Sequence, residues 1–214
     1  MFAENNLVGL QSSVPRFAVI PSLARYLLQG SFGFGIASLC VFATVAFAEG
    51  WMYDHLGVSG AYLVWTVLFI AGGGAALKSL VFDPARKTKF YAIFGAGFFM
   101  YAVGWVAAYF ILRGRMGEWF GSLAGSLSLS VVIVAGFKAW HAALASFGAL
   151  FISNSIGYFL GSILNESFQG KTGMLLWGAV YGLFLGAGLG LVLYLVQYWR
   201  VHAVASERKP PYLG

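Results

Sequence analysis

The chain has 214 residues, of which 60% are hydrophobic and only 9% charged, with a mean hydropathy of +0.80 and a formal net charge of +6. A soluble domain carries roughly a quarter of its residues as charges, so a water-soluble globule is excluded and an all-α, polytopic integral membrane protein is implied. In such a protein a basic balance reports where loops sit against the bilayer, so no nucleic-acid partner is expected.

Residues 1–26 read as a cytoplasmic and interfacial segment. They lack a basic start followed by a short apolar core, so no cleavable signal peptide is expected. Within them Ser22 is placed to cap a helix and Tyr26 to sit at the interface, as a lead-in lying on the membrane. Six apolar segments follow, each long enough to cross about 30 Å of hydrocarbon at about 1.5 Å per residue. They run from Leu27 to Ala48, Leu56 to Phe82, Phe90 to Leu112, Trp119 to Phe137, Ala142 to Asn165 and Thr172 to Trp199. A six-helix membrane domain over residues 27–199 results, followed by a basic cytoplasmic tail, 200–214. All 5 prolines fall outside the spans, so the helices should be continuous except where Gly72, Gly73 and Gly74 weaken the second one into an unwound point. The lone cysteine, Cys40, is expected to pack as a small apolar group.

Most of the 13 lysines and arginines fall on the side shared by the two termini, among them Arg25, Lys78, Arg86, Lys87, Lys89 and Lys138. The opposite side receives Arg113, Arg115 and Lys171. This asymmetry places both termini in the cytoplasm. Arg86, Lys87, Lys89 and Lys138 are expected to contact lipid headgroups at the interface.

The sixth span carries Gly178, Gly182, Gly186 and Gly190 at a strict spacing of four, which on a helix forms a groove without side chains that admits another backbone. The fifth carries Ala145, Ala149, Ser153, Gly157 and Gly161. An antiparallel intrachain contact between these two ladders is expected. A shift of 87 residues aligns Gly95 with Gly182, Gly74 with Gly161 and Arg113 with Arg200. Read as a duplication, it divides the domain into halves 27–115 and 116–200, a 3+3 inverted repeat of the kind built into many transporters.

No aspartate or glutamate lies in mid-span. The intramembrane polar positions are serines and one amide, Asn154, whose side chain cannot satisfy itself within its own turn and must bridge helices or line a polar cavity. A substrate path through Asn154, Ser153, Ser130 and Ser126 is therefore expected. No phosphate-cradling loop, nucleophile elbow or complete metal-ligand set occurs, so no catalytic residue, metal or cofactor is expected. The functional expectation is a small permease or channel moving a small solute or ion between the two halves. The alternative is a non-catalytic assembly subunit of a larger membrane complex, packed through glycine-rich faces against other membrane subunits or a second copy, with lipids as its other partners.

Overall fold

The computed structural model describes residues 21–207, with side chains as far as Trp199. The expected segment before Pro21 and the side chains of the basic tail lie outside the described residues. Among the described residues all regular structure is helical: α1 (Leu23–Lys78), α2 (Pro84–Leu112), α3 (Gly114–Phe137), a short 3-10 turn at Trp140–Ala142, α4 (Ala143–Phe168) and α5 (Gly170–Glu207). The five long helices are apolar enough to cross a membrane, and the chain is compatible with a multi-pass membrane protein.

The first two expected spans form one element. No loop separates them, because a single residue, Gly57, takes φ 67°, ψ 173° and reverses the helix. A positive φ of this kind is open to glycine at little cost. The two arms of α1 then lie against each other, Gly33 beside Ala76 and Gly72 beside Ala37. The same backbone reversal recurs at Arg113 (φ 52°, ψ 161°) between α2 and α3 and at Gln169 (φ 48°, ψ 167°) between α4 and α5. These three turns, evenly spaced along the chain, gather at one end of the bundle. The other end has broader connections. There Asp83 caps α2 by accepting from the Ala85 amide at 3.0 Å, and Lys138 ends α3 in the left-handed region while the Ala139 amide reaches back to the Val134 carbonyl at 3.0 Å.

Several expectations are corrected. Gly72 to Gly74 do not unwind the second arm, which stays helical through them; Gly72 admits Ala37, and the missing side chains of Gly73 and Gly74 make room for the rings of Phe34, Phe94 and Tyr91. Ser22 does cap α1, accepting from the Arg25 amide. Tyr26, however, is fully buried rather than interfacial. Cys40 is exposed on the outer face of α1.

The ladder of Gly178, Gly182, Gly186 and Gly190 faces α1, not α4. Gly178 abuts Phe42, Gly182 abuts Gly35 and Ser38, Gly186 abuts the Gly30 carbonyl, and Gly190 abuts the Tyr26 carbonyl. Serines of α1 join this seam: Ser38 donates to the Gly178 carbonyl at 2.7 Å and Ser31 to that of Leu183 at 2.9 Å. Close backbone approach and short polar bonds are what hold helices together where lipid offers no hydrophobic contrast. Helix α4 does pack antiparallel on α5, but on another face, Ser153 against Gly188, Gly157 against Tyr181 and Phe184, and Gly161 against Trp177. Large apolar side chains such as Ile111 and Leu144 point outward, as a lipid-facing surface allows.

At the broad end one buried amide ties three segments. Gln197 of α5 donates to the Tyr26 hydroxyl at 3.0 Å and the Leu80 carbonyl at 3.1 Å, and its carbonyl accepts from the Phe82 amide at 3.1 Å. Gln197→Leu leaves these groups buried without partners. It is expected to destabilise the protein by about 2 kcal/mol, read as a lower thermal midpoint in detergent; an unchanged midpoint would mean that the α1–α2 connection does not depend on it.

Candidate functional site

Aromatic side chains recur on one stripe of each of four helical segments, and the bundle turns those stripes toward one another. On the first arm of α1 the stripe is Val41, Phe42, Val45 and Glu49. On the returning arm it is Tyr62, Trp65, Thr66 and Phe69, and on α2 it is Phe98, Tyr101, Trp105 and Tyr109. Met174, Trp177 and Tyr181 come from α5, with Tyr158 added from α4. The spacings of three, four and seven put each set on a single helix face. Between them lies a part-open cavity of about 310 Å³, lined by six tyrosines, three tryptophans and three phenylalanines, so its walls are mostly ring faces and edges.

Gly57 creates this geometry. By folding α1 back within one residue it brings both Tyr53 and Tyr62 against Trp65, with ring centroids 6.0 Å and 5.4 Å away and both rings edge-on to the indole. Across the cavity Tyr158 stands between Trp105 and Trp177 at 5.3 Å and 5.4 Å. Among the described residues the single charged lining residue is Glu49, whose carboxylate accepts from the Tyr53 hydroxyl at 2.9 Å. Behind the wall a second carboxylate, Glu118, lies 3.4 Å from the Tyr158 hydroxyl.

Two buried tyrosines of the lining, Tyr101 and Tyr181, form its floor together with Phe98, and their hydroxyls are 2.6 Å apart. Tyr101 donates to the Asn154 carbonyl oxygen at 2.8 Å, so Tyr181 donates to Tyr101. The Asn154 amide donates to Ser122 at 2.8 Å, and Ser122 is 2.7 Å from Ser155. The direction is fixed from Tyr181 through Tyr101 to the Asn154 carbonyl and from the Asn154 amide to Ser122, while between Ser122 and Ser155 either hydroxyl can donate. All five residues are buried, and their bonds connect α5, α2, α4 and α3. On the far side of Tyr101 a run of phenylalanines fills the bundle. Phe98 stands 5.3 Å from Phe69, 6.0 Å from Phe34 and 5.7 Å from Phe94.

Asn154 thus bridges helices, one of the two roles its amide demands. Of the other expected path residues, Ser130 donates to the Leu127 carbonyl and Ser153 to that of Leu150. Ser126 is buried with no hydrogen-bond partner. None of the four lines the cavity, although Asn154 touches its floor through Tyr101. The groups that do line it, Glu49 and the aromatic stripes, pass in the sequence for an outer-loop acid and an interfacial aromatic belt. The signal that distinguishes them is the repeat of tyrosine and tryptophan along one face well inside a span, as at Tyr101, Trp105 and Tyr109. The indole N–H groups of Trp65 and Trp177 are also buried without a partner, and Trp177 turns its pyrrole edge toward Gly161.

Of the expected headgroup contacts, Lys87, Lys89 and Lys138 are exposed at the broad end of the bundle. Arg86 instead donates to the Gly136 carbonyl and closes the C-terminal end of α3. Among the described residues no three of histidine, cysteine, aspartate and glutamate come together. No protein-family model, curated protein or solved structure matches the chain.

Proposed function

We propose that the protein is a small permease that moves a solute along a path between its two three-helix halves, with the aromatic cavity as the solute's station. In this reading each arm of α1 crosses the bilayer, giving six crossings. Both termini then lie with the basic end, Arg25, Lys78, Lys87, Lys89 and Lys138, on the cytoplasmic side. The observation that carries the reading is the cavity itself. Its lining draws on both halves, 27–115 and 116–200, and includes Glu49 and Tyr53 near the tight turns as well as the buried Tyr101–Tyr181 pair. A non-catalytic packing subunit has no use for a cavity of this size and a hydrogen-bonded floor, whereas about 300 Å³ is the lower range of small-molecule sites.

Passage toward the basic end requires Phe98 and Phe69 of the lining and the Phe34 and Phe94 rings behind them to move, since these rings fill the bundle there. A 3+3 inverted repeat would supply a route, because rocking one half against the other opens the site to alternate sides. The even spacing of the turns at Gly57, Arg113 and Gln169 favours instead a construction from three hairpins, which moves most simply by spreading one hairpin.

The test is reconstitution. Purified protein in liposomes is expected to take up small solutes faster than protein-free vesicles, and Ala102→Phe, which fills the cavity from a half-buried lining position, is expected to slow that uptake about tenfold or more, with the variant still a folded monomer by size-exclusion. A chain that is isolated only with partner proteins and moves nothing would replace the permease by the assembly subunit.

A further inference from the structure

We propose that the cavity takes a monovalent organic cation with a methylated ammonium head, an assignment that rests on the permease reading for its physiological role. The cavity offers one negative charge, Glu49, and no lysine, arginine or histidine among its lining residues. An anion would meet that carboxylate with nothing to offset it. A bare metal ion is equally unsuited. Calcium and magnesium need six or so oxygen ligands around them, and here a single carboxylate faces phenols and hydrocarbon.

A methylated ammonium carries its charge inside an apolar shell, which ring faces can solvate. Cations bind over aromatic faces within about 6 Å of the ring centroid, tryptophan being the strongest, and cages of several rings are the usual receptor for quaternary ammonium groups. Tyr53 and Tyr62 each stand edge-on to the Trp65 ring, at centroid distances of 6.0 Å and 5.4 Å, so the indole face and the phenol faces look in different directions around one corner of the cavity. Glu49 belongs to that corner through its bond from Tyr53. That bond engages one carboxylate oxygen and leaves the other to face a cation. An uncharged ligand would use the ring surfaces but gain nothing from Glu49.

The experiment is a titration of the full-length protein in detergent, read by intrinsic fluorescence, since Trp65, Trp105 and Trp177 line the cavity. The probes are choline and its uncharged isostere 3,3-dimethylbutan-1-ol. Choline is expected to give a saturable change, the alcohol to bind at least about tenfold more weakly. Glu49→Gln is expected to weaken choline about tenfold and leave the alcohol unaffected. Glu49→Asp should retain part of the choline affinity, and Trp65→Leu should weaken choline with the carboxylate intact. Equal binding of the two probes, no binding of choline, or unchanged choline affinity in Glu49→Gln would each overturn the assignment. Liposomes separate this from the permease reading. Choline binding without choline uptake keeps the cation site and removes the permease, while uptake of glycerol that choline does not inhibit keeps the permease and removes the cation.

Discussion

Gly186→Leu is expected to prevent the protein from folding. A methyl at this position would run into the Gly30 carbonyl and lie 2.8 Å from the Phe34 Cβ. Two of these obstacles are backbone or the stem of a fully buried ring, so neither can swing aside. Helices α1 and α5 would have to separate along the seam that holds Gly30, Gly35 and Ser38 against Gly178, Gly182 and Gly190. Overpacking a tight interior costs about 1–3 kcal/mol for small additions, and here the whole seam loses its short hydroxyl-to-carbonyl bonds as well. A total of about 5 kcal/mol equals the lower range of folding stability. The measurement is size-exclusion in detergent together with a thermal melt, and Gly148→Leu is the control, because a side chain at Gly148 meets nothing within 4 Å. The control should melt at or above the wild-type temperature, since leucine is the better helix former. If Gly186→Leu kept the monomer folded and only dissolved an oligomer, the seam would belong to a partner chain.

That seam shows where sequence reading succeeds and where it stops. The spacing of Gly178, Gly182, Gly186 and Gly190 announces a close helix contact, because nothing else explains four missing side chains on one face. It does not announce the partner. Helix α4 is next in the chain and carries small residues, but α5 has a second face at Tyr181 and Gly188 that suits it. Helix α1 brings Gly30, Gly35 and two hydroxyls whose protons reach carbonyls of α5, and it takes the narrower face. Sequence proximity favours a neighbour; backbone complementarity decides among faces.

The apolar segments themselves were legible, since a bilayer forces every backbone polar group into a helix and demands a length that hydropathy displays. The reversal at Gly57 was not, because one glycine among many carries no label until its φ is known. The cavity shared that fate. Nothing in the spacing of Tyr53, Tyr62 and Trp65 joins them, since the same 3.6-residue period marks a lipid-facing stripe and an inward one. Asn154 stood out for a sound reason, the cost of an amide in hydrocarbon, yet its partners Tyr101 and Ser122 lie 53 and 32 residues away and no spacing rule joins them.

Asn154→Leu is expected to damage the floor of the cavity more than the fold. Removing the amide leaves the Tyr101 hydroxyl bonded only to Tyr181, and Ser122 only to Ser155. Hydrogen bonds between membrane helices are worth about 0.6 kcal/mol on average and about 1.7 at most, so two lost bonds cost about 1–3 kcal/mol. A drop of that size lowers the melting temperature without unfolding the protein. The functional effect should be larger in proportion. Tyr101 is held by accepting one bond from Tyr181 and giving another to Asn154, and with the second gone its hydroxyl proton has no fixed acceptor at the cavity wall. The uptake measured in liposomes is then expected to change by about an order of magnitude, and Asn154→Asp, which still accepts from Tyr101, should stay nearer wild type in uptake despite its own burial cost. Asn154→Leu with normal uptake and a lowered melting temperature would make the chain from Tyr181 to Ser155 a purely structural tie, and would move the solute's station away from Tyr101 toward Glu49.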